Sequence, residues 1–159
     1  MIAAVDVHYR DDVAVAAAVA FRDWAEPSVA WERVVRVPGV AAYRPGHFFE
    51  RELPPVLAVL EGQAFEVVVV DGYVWLGADR KGLGAHVHEA LGKPVVGVAK
   101  TRFAGAPGVA VRRGNAVRPL YVTAAGLDAE RAASGVRAMW GPYRLPEHLK
   151  RVDRLCRGG

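Results

Sequence analysis

The sequence is poor in cysteine and in long apolar runs. Cys156 is the only cysteine among the 159 residues, which excludes an internal disulfide and a zinc site built from several cysteines. Because a chain without disulfides suits a reducing compartment, we expect a cytoplasmic protein. The longest apolar run, Val13–Phe21, is far shorter than a membrane span, and no cleavable leader is recognisable. No membrane association is therefore expected.

The chain also lacks a strong excess of either charge. The formal net charge is +4 and the sequence pI is about 9.5, which permits a nucleic-acid partner without requiring one. The composition is 52% hydrophobic and 24% charged, which is typical of a globular chain. Since no repeat, linker or low-complexity segment divides the sequence, residues 1–159 are predicted to form one domain.

The first third of the chain has the pattern of three strands joined by short turns. The predicted strands are Ile2–Tyr9, Val13–Arg22 and Ser28–Val37, which are rich in β-branched and apolar residues. Short connections favour an antiparallel meander. Asp6 lies inside the first strand, where a charge is costly unless it is paired or bound to a metal.

The next segment has the pattern of a parallel crossover unit. Apolar spacing predicts a helix over His47–Leu60, and the Pro54-Pro55 pair is expected to kink it or to delay its start. Val67–Val70 is an unbroken apolar run typical of a strand buried on both faces. A helix over Lys81–Leu91 and a second buried strand ending at Lys100 follow, and strand, helix and strand together predict two parallel strands.

The remainder is predicted to add one strand and two helices. Thr101–Asn115 is rich in glycine and arginine and predicts a loop or a loose hairpin. Val117–Thr123 is a further strand, and Leu127–Met139 and Pro146–Leu155 are helices. The predicted fold class is α/β, with a mixed sheet in which an antiparallel three-strand meander is followed by parallel strands, flanked by helices.

Asp71 stands out because it ends the apolar strand and is followed at once by Gly72. In open α/β sheets ligands bind beyond the carboxyl ends of the strands, so this carboxylate is well placed to meet a metal or a substrate. An ordinary Asp-Gly turn is the alternative, and from this stretch alone it is the more common case.

Three further acids extend this hypothesis. If the first and fourth strands are neighbours, Asp6 and Asp71 lie close together, and Glu52 and Asp153 are the other members of the set. Carboxylates this close cannot all ionise cheaply without a cation, and oxygen ligands favour Mg²⁺ or Mn²⁺ over zinc. Four unrelated acids remain an equal alternative on spacing alone.

Seven short blocks follow one another along most of the chain. They are Ala4-Val5-Asp6-Val7-His8-Tyr9, Tyr43-Arg44-Pro45-Gly46 with Arg51-Glu52, Val70-Asp71-Gly72, Gly82-Leu83-Gly84-Ala85-His86, Pro94 through Lys100, Pro119 through Thr123, and Tyr143 through Glu147 with Asp153. In this order they resemble the endonuclease V family, whereas any one block alone would mean little. The family has a ribonuclease H-like fold and cuts nucleic acid near inosine, which is deaminated adenine.

The resemblance implies the catalytic residues. Asp6, Glu52, Asp71 and Asp153 would be the ligands of Mg²⁺, or of Mn²⁺. Lys100 would lie near the attacked phosphate or water, where its charge stabilises the transition state. The implied reaction is metal-dependent hydrolysis of a phosphodiester.

The resemblance also implies the substrate-binding residues. Tyr43, with Pro45 and Gly46, would fill the gap left when the modified base turns out of the stack. Gly72 and Gly97 would let backbone amides approach that base closely. Tyr43 could instead be a loop aromatic that covers the core. The implied partner is inosine-containing DNA or RNA, and we expect a monomer.

Several positions depart from the family pattern, and two of them follow Asp71-Gly72. Tyr73 and Gly77 stand where the family carries polar residues near the metals and the scissile strand. Two alternatives therefore stay open: a module that binds deaminated bases without cutting them, and a related ribonuclease H-like nuclease with a different substrate.

Overall fold

A computed structural model describes residues 1–39 and 48–158. Within these residues the elements are β1 (Ile2–Arg10), β2 (Val13–Phe21), β3 (Trp31–Pro38), α1 (Phe48–Leu60), β4 (Val67–Asp71), β5 (Trp75–Gly77), β6 (Arg80–Lys81), α2 (Leu83–Leu91), β7 (Val95–Ala99), β8 (Val109–Val111), β9 (Leu120–Ala125), α3 (Ala129–Ala138) and α4 (Glu147–Cys156). None of these helices is both long enough and apolar enough to cross a membrane.

Seven of the strands form one mixed sheet in the order β3, β2, β1, β4, β7, β9, β8. The first three are an antiparallel meander, and β4 and β7 run parallel to β1. The predicted α/β class with its mixed sheet is thus confirmed. One detail differs, because the last two strands are antiparallel: β9 pairs with β7 and β8 with β9. Here the connections are loops and a hairpin, which do not impose a parallel crossover.

Helices cover both faces of this sheet, and β2 shows why they can approach it closely. The strand consists of alanine, valine and one phenylalanine, and Ala14–Phe21 is buried throughout. Val19 packs in a cluster with Val152 of α4, whereas Ala18 packs in the opposite cluster with Val56 of α1. A strand buried on both faces reads as a continuous apolar run, as observed.

Helix α1 passes through two prolines that the sequence predicted would kink the helix or delay its start. It begins at Phe48 and includes Pro54 and Pro55, neither of which has an N–H to donate to the preceding turn. Val56 and Val59 of this helix are buried against the sheet. The apolar face of α1 therefore stabilises the helix despite the poor propensity of the two prolines.

A short hairpin that the sequence analysis did not predict lies between β4 and α2. Strands β5 and β6 pair over Trp75–Gly77 and Arg80–Lys81, so α2 begins at Leu83 and not at Lys81. Trp75 anchors this hairpin by donating its indole N–H to the Ala124 carbonyl over 3.0 Å. The anchor lies 49 residues away in the chain, so local patterning gives no signal for it.

Two glycines fix the chain at the end of β4 and inside the neighbouring strand β7. Gly72 has φ of +118°, a conformation that favours glycine, and it turns the chain directly after Asp71. Gly97 is buried in β7, where a Cβ would lie 2.5 Å from the Gly72 carbonyl oxygen. On the same side, Val74 donates its N–H to the Thr123 hydroxyl over 2.8 Å. These close approaches leave no room for a side chain at position 97.

Replacing Gly97 by alanine is expected to destabilise the fold by roughly 1–3 kcal/mol, since the new methyl group meets backbone that cannot move aside easily. Urea unfolding measures the change. Gly77→Ala is the matched control, because a Cβ there meets only the Arg80 Cβ at 3.9 Å. Equal stability of the two variants would contradict this packing role.

Candidate active site

The sheet topology brings the predicted acids to one edge. Val5 of β1 lies opposite Val70 of β4 in a parallel ladder, so Asp6 and Asp71 occupy the next positions on adjacent strands. Helix α4 packs against β1 and supplies Asp153. A small cleft there is lined by Val5, Asp6, Val70, Asp71, Val98, Lys100, Leu145, Leu149, Val152 and Asp153.

Asp6 is the most strongly perturbed of the carboxyl groups that line this cleft. Burial and the negative charges of Asp71 and Asp153 raise its pKa to about 7, although the Val7 N–H donates to its Oδ1 over 2.9 Å. Asp153 lies close enough to favour the protonated form of Asp6 further, because its ligand oxygen is within 4.8 Å of that of Asp6. At neutral pH, in the absence of a cation, Asp6 is therefore partly protonated.

Glu52 approaches the same group from α1. Burial and the charges of Asp6 and Asp71 raise its pKa to about 8. The guanidinium of Arg51 partly offsets this shift while lying 3.8 Å from the centroid of the Tyr9 ring. The predicted set of four acids is therefore one electrostatically coupled group, because Asp6 responds to Asp71 and Asp153 and Glu52 responds to Asp6 and Asp71.

Asp153 differs from Asp6 and Glu52 in the direction of its pKa shift. Burial acts against ionisation, but the hydrogen bond and charge of Arg157 lower the pKa of Asp153 overall. Arg157 Nε donates to Asp153 Oδ1 over 2.9 Å from the position directly after the end of α4. Arg157 was not assigned a role from the sequence, because it lies two residues beyond the predicted helix Pro146–Leu155.

A thiol that was not predicted lies beside these acids. The ligand atoms of Asp6, Asp153 and Cys156 all fall within 4.8 Å of one another. Cys156 is buried, and burial together with the charges of Asp6 and Asp153 raises the pKa of its thiol to about 12. The thiol is therefore protonated at neutral pH, and its Sγ donates to the Asp153 carbonyl at 3.2 Å.

Lys100 lies at the opposite wall of the cleft. Its Nζ is 3.6 Å from Asp71 Oδ2, and both side chains are 47% exposed, so the lysine can reach a ligand from solvent. Arg144 supports the backbone behind it by donating to the carbonyls of Lys100 and Pro119. Arg144 was not assigned a role from the sequence. Its acceptors are backbone carbonyl groups, which every residue has, so the sequence does not show which residues it contacts.

The donor set fits a divalent cation. Burial and the negative charges of neighbouring acids raise the pKa values of Asp6 and Glu52, and a metal ion would supply positive charge that favours their ionised forms. The carboxylate oxygens of this group suit hard ions of the Mg²⁺ and Mn²⁺ type. The arrangement is an acidic site that could hold a metal, next to an exposed ammonium group.

The structure describes only part of the predicted substrate-binding set. Tyr43, Pro45 and Gly46 lie outside the described residues. Gly72 follows the end of β4, whereas Gly97 lies in the middle of β7 and not at a strand end, and their lack of a side chain serves the turn and the packing described above. A role for their amides in base recognition stays a prediction.

Comparison with known proteins identifies the family. The Endonuclease V family model matches residues 1–154. The chain belongs to the endonuclease V family. Endonuclease V of Pyrococcus horikoshii is 32% identical over 158 residues, covering 99% of this chain and 73% of that protein. Endonuclease V of Streptomyces avermitilis is 35% identical over 178 residues, which cover 96% of this chain and 77% of that protein. Because these proteins are nucleases, the predicted enzyme class, a hydrolase of phosphodiester bonds, is confirmed.

Solved structures agree with this assignment. The crystal structure of Streptomyces avermitilis endonuclease V matches with a TM-score of 0.86 at 33% identity, covering 98% of this chain and 79% of that one. Endonuclease V of Ciona intestinalis was solved in complex with a 24mer DNA containing an inosine followed by a ribo-adenosine. It matches with a TM-score of 0.84, and the match covers 98% of this chain and 83% of that one. At 19% identity, the second likeness shows the fold alone.

The raised pKa values of Asp6 and Glu52 predict an unusual dependence of stability on pH without metal. These carboxyls ionise near pH 4 when unfolded but only near pH 7 and 8 when folded, so the folded state binds more protons between these values. The free energy of unfolding should fall as pH rises from 5 to 8, by on the order of 3 kcal/mol.

Urea unfolding in EDTA at several pH values measures this fall. Asp6→Asn should flatten the profile, and Glu61→Gln, which removes an exposed acid at the far end of α1, should leave it unchanged. Added Mg²⁺ should restore stability most at high pH, where it displaces fewer protons. A profile in EDTA that is flat from pH 5 to 8 would contradict the electrostatic coupling.

Proposed function

We propose that this chain is a metal-dependent endonuclease that hydrolyses a phosphodiester near inosine in DNA or RNA. The observation that carries the proposal is the meeting of Asp6, Asp71 and Asp153 with Lys100 at one cleft. Inosine as the target rests on family membership and on the inosine-containing DNA bound by the Ciona intestinalis relative. The cytoplasmic location expected from the single cysteine stays a prediction.

Four residues of this site are proposed as metal ligands. Asp6, Glu52, Asp71 and Asp153 would hold Mg²⁺, or Mn²⁺, because their charges are mutually repulsive and incompletely balanced. When bound, such an ion supplies Lewis acidity and lowers the pKa of water. A module that only binds deaminated bases gains nothing from these acids, since carboxylates repel phosphates.

Lys100 is proposed to stabilise charge on the attacked phosphate. Its ammonium group lies 3.6 Å from Asp71 and remains 47% exposed, so it can turn toward a phosphate in the cleft without unfolding any element. A compact ammonium near developing negative charge lowers the barrier to hydrolysis. Arg144 holds the Lys100 carbonyl and so fixes where the lysine side chain begins.

The base-recognition residues are proposed from the family resemblance. Tyr43, with Pro45 and Gly46, would fill the space that the flipped base leaves, since an aromatic ring replaces stacking of about 1–3 kcal/mol per base. Gly72 follows Asp71 directly, and Gly97 pairs with Val70, the residue before Asp71. Their backbone amides would contact the polar edge of the flipped base.

Asp71→Asn is expected to lower cleavage of an inosine-containing oligonucleotide in Mg²⁺ at least a thousandfold, because an amide is a poor ligand for a hard cation. Its stability should change little, since Asp71 is exposed at a sheet edge. Glu61→Gln, at the other end of the fold, is the matched control. Cleavage of labelled strands on denaturing gels is the measurement, and wild-type activity in Asp71→Asn would exclude Asp71 as a ligand.

Tyr43→Ala should weaken binding to inosine-containing strands about tenfold while changing binding to unmodified strands little. Tyr43→Trp should retain the preference, because it keeps an aromatic ring. Fluorescence anisotropy with paired oligonucleotides measures both affinities. An equal loss on modified and unmodified strands would assign Tyr43 to packing.

A further inference from the structure

An exposed aromatic ring lies just beyond the proposed catalytic lysine. Phe103 is three residues after Lys100 and is 40% exposed. Among the described residues, neither of the two buried clusters of the core includes it. An apolar ring held at the surface beside a charged cleft contributes little to the core, so its position calls for a different explanation.

Tyr73 fixes the backbone of the loop that carries this ring. The Tyr73 hydroxyl donates to the Thr101 carbonyl over 2.9 Å and accepts the Phe103 N–H over 3.0 Å. The two rings are tilted by 59°, with centroids 6.3 Å apart. Because Tyr73 follows Asp71 by two residues, one side chain joins the loop after Asp71 to the loop after Lys100. Tyr73 is also a position at which the chain departs from the family pattern.

Positive charge surrounds the ring. The Arg80 guanidinium lies 5.7 Å from the centroid of Phe103, and Arg80 and Arg102 are both exposed. Lys100 continues this charge toward the cleft. A planar ring flanked by cations matches a nucleic-acid strand, because bases stack on the ring while phosphates meet the cations.

Two other exposed aromatic rings among the described residues also have a partner. Tyr143 is 56% exposed with the Lys150 Nζ 4.1 Å from its centroid, and Trp140 is 45% exposed and packs at a tilt on buried His148 with centroids 5.6 Å apart. Phe103 differs because backbone hydrogen bonds position it, and its partners are a tilted ring and a loosely placed guanidinium. The ring is thus held in place and still accessible.

We propose that Phe103, held by Tyr73 and flanked by Arg80, is a stacking platform for an unpaired base of the substrate strand next to the cleaved phosphate. This inference rests on the proposed function, since it assigns a subsite to the same nuclease site.

Binding to single-stranded oligonucleotides without divalent ions tests the platform, because no strand is cut under these conditions. Each oligonucleotide of a set carries one abasic position at a different distance from a central inosine, and a second set carries adenine in place of inosine. For the wild-type protein, one abasic position should weaken binding about tenfold, since it removes the stacked base. Fluorescence anisotropy gives the affinities.

Phe103→Ala should bind the intact strand about tenfold more weakly and should lose the penalty at that one abasic position. Phe103→Trp should keep both the affinity and the position-specific penalty. Tyr73→Phe, which removes only the hydroxyl, should show part of the loss. Val34→Ala, which truncates a 45% exposed side chain on β3, is the matched control and should match the wild type.

Two results would overturn the platform: full affinity in Phe103→Ala, or a loss in Phe103→Ala that leaves the position-specific penalty in place. A thermal melt of each variant separates misfolding from lost stacking. If Phe103→Ala is unfolded, the affinity and the position-specific penalty of Phe103→Trp decide the test. Failure of the proposed function is distinguishable, because it appears as absent cleavage of inosine strands in Mg²⁺ by the wild type. The adenine set reports on stacking in either case.

Discussion

Repulsion between partly buried carboxyl groups is the constraint on which this site depends. Burial, together with nearby acids that too little positive charge offsets, raises the pKa values of Asp6 and Glu52 to about 7 and 8. The fold keeps this unfavourable arrangement because strands and helices with large apolar contacts carry it. Repulsion of this kind is expected at a site that binds a cation, because the bound cation attracts each of the carboxylates that repel one another.

The cations of the site are distributed unevenly, and this separates the roles of the acids. Arg157 accompanies Asp153 and Lys100 accompanies Asp71, whereas Asp6 lies between acids from two other elements. A metal would therefore be attracted most strongly toward Asp6. Lys100 remains at the rim, where an exposed ammonium can exchange a carboxylate for a phosphate at little cost.

Local sequence patterns predicted the strands and helices that bury apolar surface. They did not predict elements whose structure depends on contacts with residues distant in the chain. The alanine-rich β2 and the valine run of β4 were predicted from their composition, because strands buried on both faces need such side chains. The β5–β6 hairpin was missed, since its anchor is an indole hydrogen bond to β9. Helix α1 includes two prolines for a similar reason, because packing against the sheet outweighs the low helix propensity of proline.

The sequence by itself determined the family and four acids of the proposed site, because the seven blocks keep residue types that the chemistry requires in a fixed order. Tertiary structure alone decided how these groups interact: the closeness of Asp6 to Asp153, the thiol of Cys156 beside them, and the support of Lys100 by Arg144. It also decided that Tyr73 holds Phe103 at the surface. Such contacts join residues that are distant in the chain, either by hydrogen bonds to backbone groups or by side chains that lie close together. These contacts leave no pattern of residue types along the sequence.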